Sequence, residues 1–353
     1  MAVKAVAEGY ETPANGSRFH SSREEALQQP TGLFELAWDD EDPFLFNLGF
    51  DESLILFDDS YCTTVVDLQL TPQIPTLTYF DRVLASLPPL SRVTDIGCGQ
   101  GEFVRALRNE GLNATGFDPV LRQTDPHLHQ RLWNPSDGPA DLYVMRCVLP
   151  HLPHPWAFLN SLSVPNSRSL VLIEYQAIEW LVANGVWYGL GHGHVNYFSA
   201  HDFEARYSVV DGGTFANGEW AWVLIDPGTY SPAGAQTCLF QQDVAKLIEE
   251  RKRVLTRAHQ EGRPIALWGG AGKGIILGHA LMSSGVDVRA VIDAAPVRWG
   301  QFLEVSGLPV LSPLQALTEL AAQTLVLVCN PNHLDEVEVF VQARLEVCSP
   351  GGL

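Results

Sequence analysis

The residues with the clearest chemical potential form a glycine-rich turn, D-I-G-C-G-Q-G, over residues 95–101. Glycine suits a turn that brings the backbone close to a ligand with no Cβ in the way. The predicted helix that follows offers free N–H groups and the positive end of its dipole to a carboxylate. Asp118 falls 23 positions after Asp95, at the end of the next predicted strand, where its carboxylate can accept hydrogen bonds from both hydroxyls of a ribose. The turn predicts a nucleoside-binding site, and an empty structural turn or an NAD site is the weaker interpretation.

Histidines make up a second group. His192 and His194 belong to a G-H-G-H stretch over residues 191–194, and His151 lies in the proline-rich segment L-P-H-L-P-H-P-W. Histidine titrates near neutral pH and is therefore a candidate base, so these three are the candidate catalytic residues. A glycine-rich loop with exposed histidines is the plainer interpretation of G-H-G-H. A metal site that adds His201 lacks a carboxylate or cysteine ligand, and we predict no metal.

Two further features favour a pocket. Aromatic residues flank the histidine loop and either form a substrate wall or belong to the core: Trp187, Tyr188, Tyr197 and Phe198. A second glycine loop, W-G-G-A-G-K-G over residues 268–274, places Lys273 where it can offer a cation to a phosphate. Gly274 follows that lysine where a P-loop requires Ser or Thr, so an ATPase loop is a poor interpretation. A turn kept for packing and an NAD site completed by Asp293 are the alternatives.

These residues need elements to hold them in place. Apolar residues at helical spacing predict a helix over 73–87, and glycine stops a second helix over 102–110. Short apolar runs predict strands over 93–96, 113–117, 142–145 and 170–174. After a charged helix over 241–261 the plan repeats, with strands over 265–268, 288–292 and 324–329 and a helix over 275–283. The alternation predicts an α/β fold in which a doubly wound Rossmann-like domain is followed by a second one.

The domain boundaries follow from this pattern. Residues 71–235 form the first α/β domain and residues 236–353 the second. Residues 1–70 precede them: the polar residues 1–30 are expected to be a loose lead-in, and the aromatic, acidic segment over 34–61 is expected to pack on the first domain.

Composition narrows the class of protein. The chain has 353 residues and a net charge of −19, which disfavours binding to nucleic acid or to an anionic membrane. It has no run of apolar residues long enough for a transmembrane helix and no apolar region typical of a secretory signal. Six scattered cysteines predict reduced thiols without zinc or disulfides. We expect a cytoplasmic protein, a monomer or a homodimer, with a small-molecule substrate.

The G-x-G-x-G spacing after Asp95 resembles the S-adenosylmethionine (SAM) motif of class I methyltransferases. Further segments resemble the C-methyltransferases of deoxysugar biosynthesis, in which a SAM domain precedes a characteristic C-terminal α/β domain. These segments are FDDSYC (57–62), DIGCGQGEF (95–103), GFDP (116–119), MRCVLPHLPHPWAFL (145–159), IEYQ (173–176), GHVNYFSAHDF (193–203), WGGAGKG (268–274), VIDAAPVRWGQFL (291–303) and CNPNHLDEV (329–337). The resemblance covers roughly residues 50–340.

The resemblance implies SAM as cofactor and assigns roles to residues. The residues implied in cofactor binding are Tyr61, near the methionine end, with Asp95, Gly97, Cys98, Gly99, Gly101, Asp118, Pro119, Arg146 and Cys147. The residues implied at the substrate are Glu174, Trp187, Tyr188, Asn196, Tyr197 and Lys273. His194 matches the histidine of the family's catalytic stretch, and His151 matches the histidine of a second conserved turn. The implied acceptor is a small polar metabolite such as a sugar nucleotide, bound between the domains.

The chain departs from that family in two ways. It lacks the CxxC pairs of the family's N-terminal zinc-binding domain. Gly191 and Gly193 stand where the family has tyrosine (or histidine) and glutamate next to the catalytic histidine. Methyl transfer to carbon, oxygen or nitrogen is therefore one hypothesis. The alternative is a SAM- or nucleotide-binding protein that does not methylate, or that catalyses another reaction such as a cyclisation or rearrangement.

Overall fold

The computed structural model describes residues 3–56, 58, 76–85, 87, 91–122, 124–163, 169–232, 238–342 and 344–353. Tyr61 and most of the FDDSYC segment lie outside the described residues.

The N-terminal segment is built from short strands and one helix. Its elements are β1 (Val3–Ala5), β2 (Tyr10–Pro13), β3 (Phe19–His20), α1 (Arg23–Leu27), β4 (Thr31–Phe34), β5 (Leu36–Asp39) and β6 (Leu45–Asn47). Ser22 caps the N-terminus of helix α1, and its side chain accepts a hydrogen bond from the backbone N–H of Glu25. Strand β2 pairs with β4, and β1 pairs with β5. The expectation of a loose lead-in is therefore wrong, because these backbone groups find partners within the segment.

This segment contacts both of the α/β domains. Strand β6 pairs with β12 (Asn196–Tyr197), and Phe44 packs on Trp156 and Phe198 of the first domain. Strand β3 pairs with β17 (Phe302–Leu303) of the second domain. We expected the aromatic, acidic segment over 34–61 to pack on the first domain, and we predicted no contact between residues 1–30 and the second domain.

A seven-stranded sheet forms the first α/β domain, in the order β13-β14-β11-β10-β7-β8-β9. The strands are β7 (Arg92–Ile96), β8 (Asn113–Phe117), β9 (Leu128–His129), β10 (Leu142–Arg146), β11 (Leu170–Gln176), β13 (Ser208–Phe215) and β14 (Trp220–Asp226). The helices are α2 (Thr76–Ala85), α3 (Glu102–Asn109), α4 (Pro155–Ser161), α5 (Ile178–Ala183) and α6 (Ala200–Glu204). Strand β14 is antiparallel to both neighbours, and the other pairs are parallel. The central strands β10 and β11 are buried almost throughout, as in a sheet covered on both faces.

A five-stranded parallel sheet forms the second domain, in the order β18-β16-β15-β19-β20. Its elements are α7 (Gln241–Glu261), β15 (Ile265–Trp268), α8 (Lys273–Ser283), β16 (Val288–Ile292), β18 (Val310–Leu311), α9 (Pro313–Glu319), β19 (Leu325–Val328), α10 (Leu334–Val341) and β20 (Glu346–Cys348). The prediction of two Rossmann-like α/β units is confirmed. None of the helices described here combines the length and apolar composition that a membrane span requires.

Candidate functional site

The first glycine loop joins β7 to α3 and depends on glycine at three positions. Gly97, Gly99 and Gly101 have φ angles of 73°, 56° and 82°, in the region that L-residues rarely adopt. Space is short as well. A Cβ at Gly97 would lie 2.4 Å from Cγ2 of Val148, and one at Gly101 would lie 2.3 Å from Cδ1 of Leu128. The loop therefore forms a cradle lined by backbone atoms, and a larger residue at Gly97 or Gly101 would clash with its neighbours.

Asp118 follows β8 and closes one side of this cradle. Its carboxylate accepts hydrogen bonds from the N–H groups of Gly99 (3.0 Å) and Val120 (2.8 Å). Partial burial raises the pKa of Asp118 above its ordinary value, and the two backbone donors oppose that rise. The carboxylate is thus fixed against the glycine loop with lone pairs left for ribose hydroxyls. Pro119, which we expected at the cofactor, is exposed beside it.

A buried charge network lies next to the cradle, at the ends of β7, β10 and β11. Arg146 Nε donates to Oε2 of Glu174 at 2.9 Å, and the Tyr79 hydroxyl donates to Oε1 of the same carboxylate. Asp95 is only 2% exposed, and no described residue donates a hydrogen bond to its carboxylate. Burial raises the pKa of Asp95 to about 7; the charge of Asp118 adds to this, and Arg146 opposes it. We expected Glu174 to contact the substrate, but in the structure its carboxylate is paired with Arg146.

Tyr79 was missed from the sequence. It stacks on Trp222 with ring centroids 4.4 Å apart and reaches Glu174 from α2. The helical periodicity of that segment places it on a buried face, but nothing local indicates a polar partner.

Two cysteines lie at the edge of the cradle. Cys98 packs so closely on Gly116 that a Cβ there would meet its Sγ at 2.7 Å. Cys147 has a φ angle of 56°, and its N–H donates to the carbonyl of Glu174 at 2.9 Å. Burial raises the pKa of the Cys147 thiol to about 11, so it is neutral at physiological pH and a poor nucleophile.

His151 and His194 come together at the C-terminal end of β10. Their ring centroids are 4.8 Å apart in an edge-to-face arrangement. Nδ1 of His151 lies 2.7 Å from the carbonyl of Gly193, and a carbonyl only accepts, so that nitrogen carries the proton. Burial, reinforced by the charges of His151 and Lys273, lowers the pKa of His194 to about 3. Burial also lowers the pKa of His151. Both rings are therefore neutral near pH 7, and neither nitrogen of the His194 ring hydrogen-bonds a described residue.

His192 is placed differently from its neighbour. It is fully buried, its Nδ1 donates to the carbonyl of Ala14 (3.1 Å), and its Nε2 accepts from the N–H of Asp51 (3.0 Å). Its own backbone N–H donates to Thr12 Oγ1 at 2.9 Å. Both ring nitrogens are in use, so the expectation that His192 acts as a base is corrected. His192 instead anchors the N-terminal segment.

The proposed substrate wall is largely core. Trp187 and Tyr188 are 0% and 1% exposed and sit in a short 3-10 turn (Trp187–Gly189). The hydroxyl of Tyr197 donates to the carbonyl of Gly191 (2.8 Å) and accepts from its N–H (2.9 Å), which holds the G-H-G-H loop in shape. Asn196 Nδ2 donates to the carbonyl of Leu152 at 2.6 Å. Tyr197 therefore supports the histidine loop, and Trp187 and Tyr188 belong to the core. The substrate contacts expected of these four residues stay predictions.

The second glycine loop repeats the geometry of the first. The N–H of Gly270 donates to Asp293 at 2.8 Å, as Gly99 does to Asp118. Here, however, the acid is 4% exposed and is paired with the buried Arg298 at 3.1 Å. The Arg298 guanidinium therefore occupies the side of the Asp293 carboxylate where ribose hydroxyls would have to bind.

Lys273 was expected to face a phosphate, and the structure pairs it with Glu219 of the first domain instead. The other carboxylate oxygen of Glu219 accepts from Asn330 Nδ2 at 2.9 Å and Asn332 Nδ2 at 3.3 Å. The segments WGGAGKG and CNPNHLDEV thus meet at one carboxylate and join the two domains. Nothing in the sequence around Glu219 indicated this. No group of three or more potential metal ligands occurs among the described residues.

Comparison with known proteins gives two family matches. A methyltransferase domain matches residues 75–207, and a C-methyltransferase C-terminal domain matches residues 234–345. A search of curated proteins finds no match.

Solved structures similar to this chain are distant. A SAM-dependent methyltransferase from Anabaena variabilis is 16% identical, with a TM-score of 0.32 over 43% of this chain and 83% of its own. Magnesium protoporphyrin IX methyltransferase from Synechocystis with bound SAM is 14% identical, with a TM-score of 0.31 over 46% of this chain and 80% of its own. The 1,6-didemethyltoxoflavin-N1-methyltransferase from Burkholderia thailandensis is 13% identical, with a TM-score of 0.30 over 43% and 75%.

The cradle fits SAM, the cofactor of such domains. A backbone-lined hollow that a Cβ would fill stands beside a carboxylate held by Gly99 and Val120, which suits an adenosine with its ribose hydroxyls. When bound, SAM supplies the methyl group and a neutral thioether leaving group. The chain is a SAM-dependent methyltransferase in which a methyltransferase domain is followed by a C-methyltransferase C-terminal domain.

Proposed function

We propose that this enzyme methylates a nitrogen or oxygen atom of a small polar metabolite in the cleft between its two domains, with His194 accepting the proton that a hydroxyl acceptor loses. The observation that carries this proposal is the neutral, half-buried pair formed by His151 and His194, whose rings lie 4.8 Å apart. In the proposal the glycine cradle and Asp118 hold SAM, and His151 orients the His194 ring.

The pKa of His194 favours nitrogen or oxygen over carbon. A base with a pKa of about 3 is too weak to remove a proton from carbon next to a carbonyl, a step that also needs a donor for the enolate. A hydroxyl oxygen that gains a methyl group becomes an oxonium whose proton is strongly acidic, so a weak base suffices. A neutral amine instead gives a methylammonium ion, a weak acid that leaves the site with its proton attached. Positioning and exclusion of water then supply most of the rate.

The two glycines of the histidine loop support this choice. A Cβ at Gly193 would lie 2.4 Å from the carbonyl oxygen of Asn15, and one at Gly191 would lie 2.6 Å from Cδ1 of Ile276. The N-terminal segment and α8 occupy the space that a glutamate and a tyrosine would need. A glutamate at position 193 would therefore clash with backbone, which argues against carbon methylation of the kind that the resembling family carries out.

A sugar nucleotide is the second choice of acceptor. A diphosphate needs a free cation, and Lys273 would have to release Glu219 to provide one. We therefore rank neutral amines and hydroxyl compounds above sugar nucleotides.

The test incubates the full chain with SAM and an acceptor panel containing amino sugars, the matching hydroxy sugars and sugar nucleotides. S-adenosylhomocysteine is quantified, and the methylated atom is identified by NMR. We expect N- or O-methyl products. A carbon-methylated product would overturn the proposal.

The base assignment is tested with His194→Ala and a matched control, His154→Ala, because His154 is exposed. We expect at least a roughly ten-fold loss of kcat for the first and no change for the second. The wild-type rate should show no inflection near pH 6.5, since His194 stays neutral across that range. Unchanged turnover in His194→Ala would remove the histidine from the mechanism.

A further inference from the structure

Asp95 shares its counter-charge with a second carboxylate. It comes from β7, is 2% exposed, and receives no hydrogen bond to its carboxylate from a described residue. The positive group that acts on it is the Arg146 guanidinium of β10. That guanidinium also pairs with Glu174 of β11, whose Oε2 accepts from Arg146 Nε at 2.9 Å. Two buried carboxylates therefore depend on one positive charge.

Further acids lie on the glycine-loop side of Asp95. The charge of Asp118 raises the pKa of Asp95 and so acts against its ionisation. Burial raises the pKa of the Cys98 thiol, and the charges of two acids, Asp95 and Asp118, raise it further. Glu102, at the start of α3, adds a contribution of the same sign. The neutral thiol brings no positive charge, so acids outnumber cations among the described groups beside the cradle.

The charge of the ligand decides how Asp95 responds to it. Burial raises the pKa of Asp95 from 3.8 to about 7, so near neutral pH its carboxyl keeps a proton in part of the molecules. A cation that binds nearby favours the ionised form, and a neutral ligand does not. SAM carries a sulfonium and an ammonium against one carboxylate, whereas S-adenosylhomocysteine has lost the sulfonium charge and is neutral overall.

We propose that Asp95 distinguishes SAM from S-adenosylhomocysteine by charge, because it holds a proton in the empty cradle and releases that proton to solvent when the sulfonium cation binds. The ionised carboxylate stabilises the cationic cofactor and gives the neutral product no matching interaction. The charge of Asp95 therefore favours the exchange of product for fresh SAM. The proposal concerns cofactor binding and does not depend on the acceptor or on His194.

The test is calorimetry of the full chain with SAM and, separately, with S-adenosylhomocysteine at pH 6.5, in PIPES and in bis-Tris. These buffers differ in their enthalpy of ionisation, so the difference in binding heat counts the protons released. The α-amino group of either ligand stays largely protonated at this pH. From the pKa of Asp95 we expect SAM to release roughly 0.4–0.9 proton more than S-adenosylhomocysteine. Equal proton release with the two ligands would overturn the proposal.

Asp95→Asn locates the effect. The amide keeps the shape of the side chain and does not ionise, so the extra proton release with SAM should disappear. At pH 8, where the wild-type carboxyl is largely ionised, this variant should bind SAM roughly ten-fold or more weakly. Its affinity for S-adenosylhomocysteine should stay within about three-fold of the wild type, whereas a merely structural role would weaken both ligands equally.

The control is Glu110→Gln, which removes an exposed acid at the far end of α3. It should match the wild type in proton release and in both affinities. Extra proton release that persists in Asp95→Asn, or an equal loss of affinity for the two ligands, would refute the assignment to Asp95.

Discussion

Replacing Gly97 with alanine tests the cradle most directly. The residue has a φ of 73°, and a new Cβ would lie 2.4 Å from Cγ2 of Val148. The left-handed conformation costs a side chain roughly 1–2 kcal/mol, and overpacking costs roughly 1–3 kcal/mol. We therefore expect Gly97→Ala to lower the free energy of unfolding by about 2–5 kcal/mol. It should also weaken binding of S-adenosylhomocysteine, because the loop must move away from its ligand-binding shape.

Gly111→Ala is the matched control. Gly111 has a φ of 85°, but no described atom lies within 4 Å of the Cβ it would gain. This variant should lose only the conformational part, roughly 1–2 kcal/mol, and bind the ligand normally. In Gly97→Ala/Val148→Ala the clash is relieved, so a double-mutant cycle should show favourable coupling of about 1–3 kcal/mol.

Urea denaturation followed by tryptophan fluorescence gives the stabilities, and calorimetry gives the affinity for S-adenosylhomocysteine. A loss of unfolding free energy in Gly97→Ala no larger than that in Gly111→Ala, or an unchanged affinity of Gly97→Ala for the ligand, would contradict the steric role of Gly97.

Three more predictions concern parts of the molecule outside the cradle. His192→Ala should lower the free energy of unfolding by about 2–4 kcal/mol in urea titrations, since it leaves a cavity and unpaired backbone groups; a loss as small as that of the exposed His154→Ala would contradict its anchoring role. Glu219→Ala should lower the free energy of unfolding by about 3–5 kcal/mol, because it leaves Lys273 without its partner. Adding Lys273→Met should recover much of the lost Tm in thermal scans. No recovery would show that the pair is not coupled. Burial raises the pKa of Glu304 from 4.5 to about 7. Between these pH values the folded chain keeps a proton on Glu304 that the unfolded chain has already lost. Stability should therefore fall as the pH rises from 5 to 8, and Glu304→Gln should reduce that fall by about 3 kcal/mol in urea titrations at each pH; an unchanged pH dependence would remove Glu304 as its source.

The elements that local patterns specify were predictable. Strand β8 and helix α7 have the bounds that their sequences predict, because glycine and proline interrupt clear apolar periods. The SAM loop was predictable for the same reason: three closely spaced glycines after a buried strand leave few other structures.

The long-range contacts were not predictable. His192 is separated from Thr12 by 180 residues, and Lys273 from Glu219 by 54, and neither partner carries a local signal. Both residues looked available for chemistry in the sequence because their partners come from other elements. Gly193 stands where the resembling family has a glutamate, and only the position of Asn15 explains this difference. The polar composition of residues 1–30 gave no reason to expect Asn15 at that place.

The antiparallel pairing of Phe19 and His20 with Leu303 and Phe302 has a consequence for the way the chain is made. During synthesis the N-terminal partner leaves the ribosome long before the C-terminal one exists. Closing so long a loop is entropically costly and slow, and contacts of this range belong to the late steps of folding. The segment that holds His192 therefore reaches its final place only after β17 of the second domain has been made, so the G-H-G-H loop acquires its anchored form late in folding.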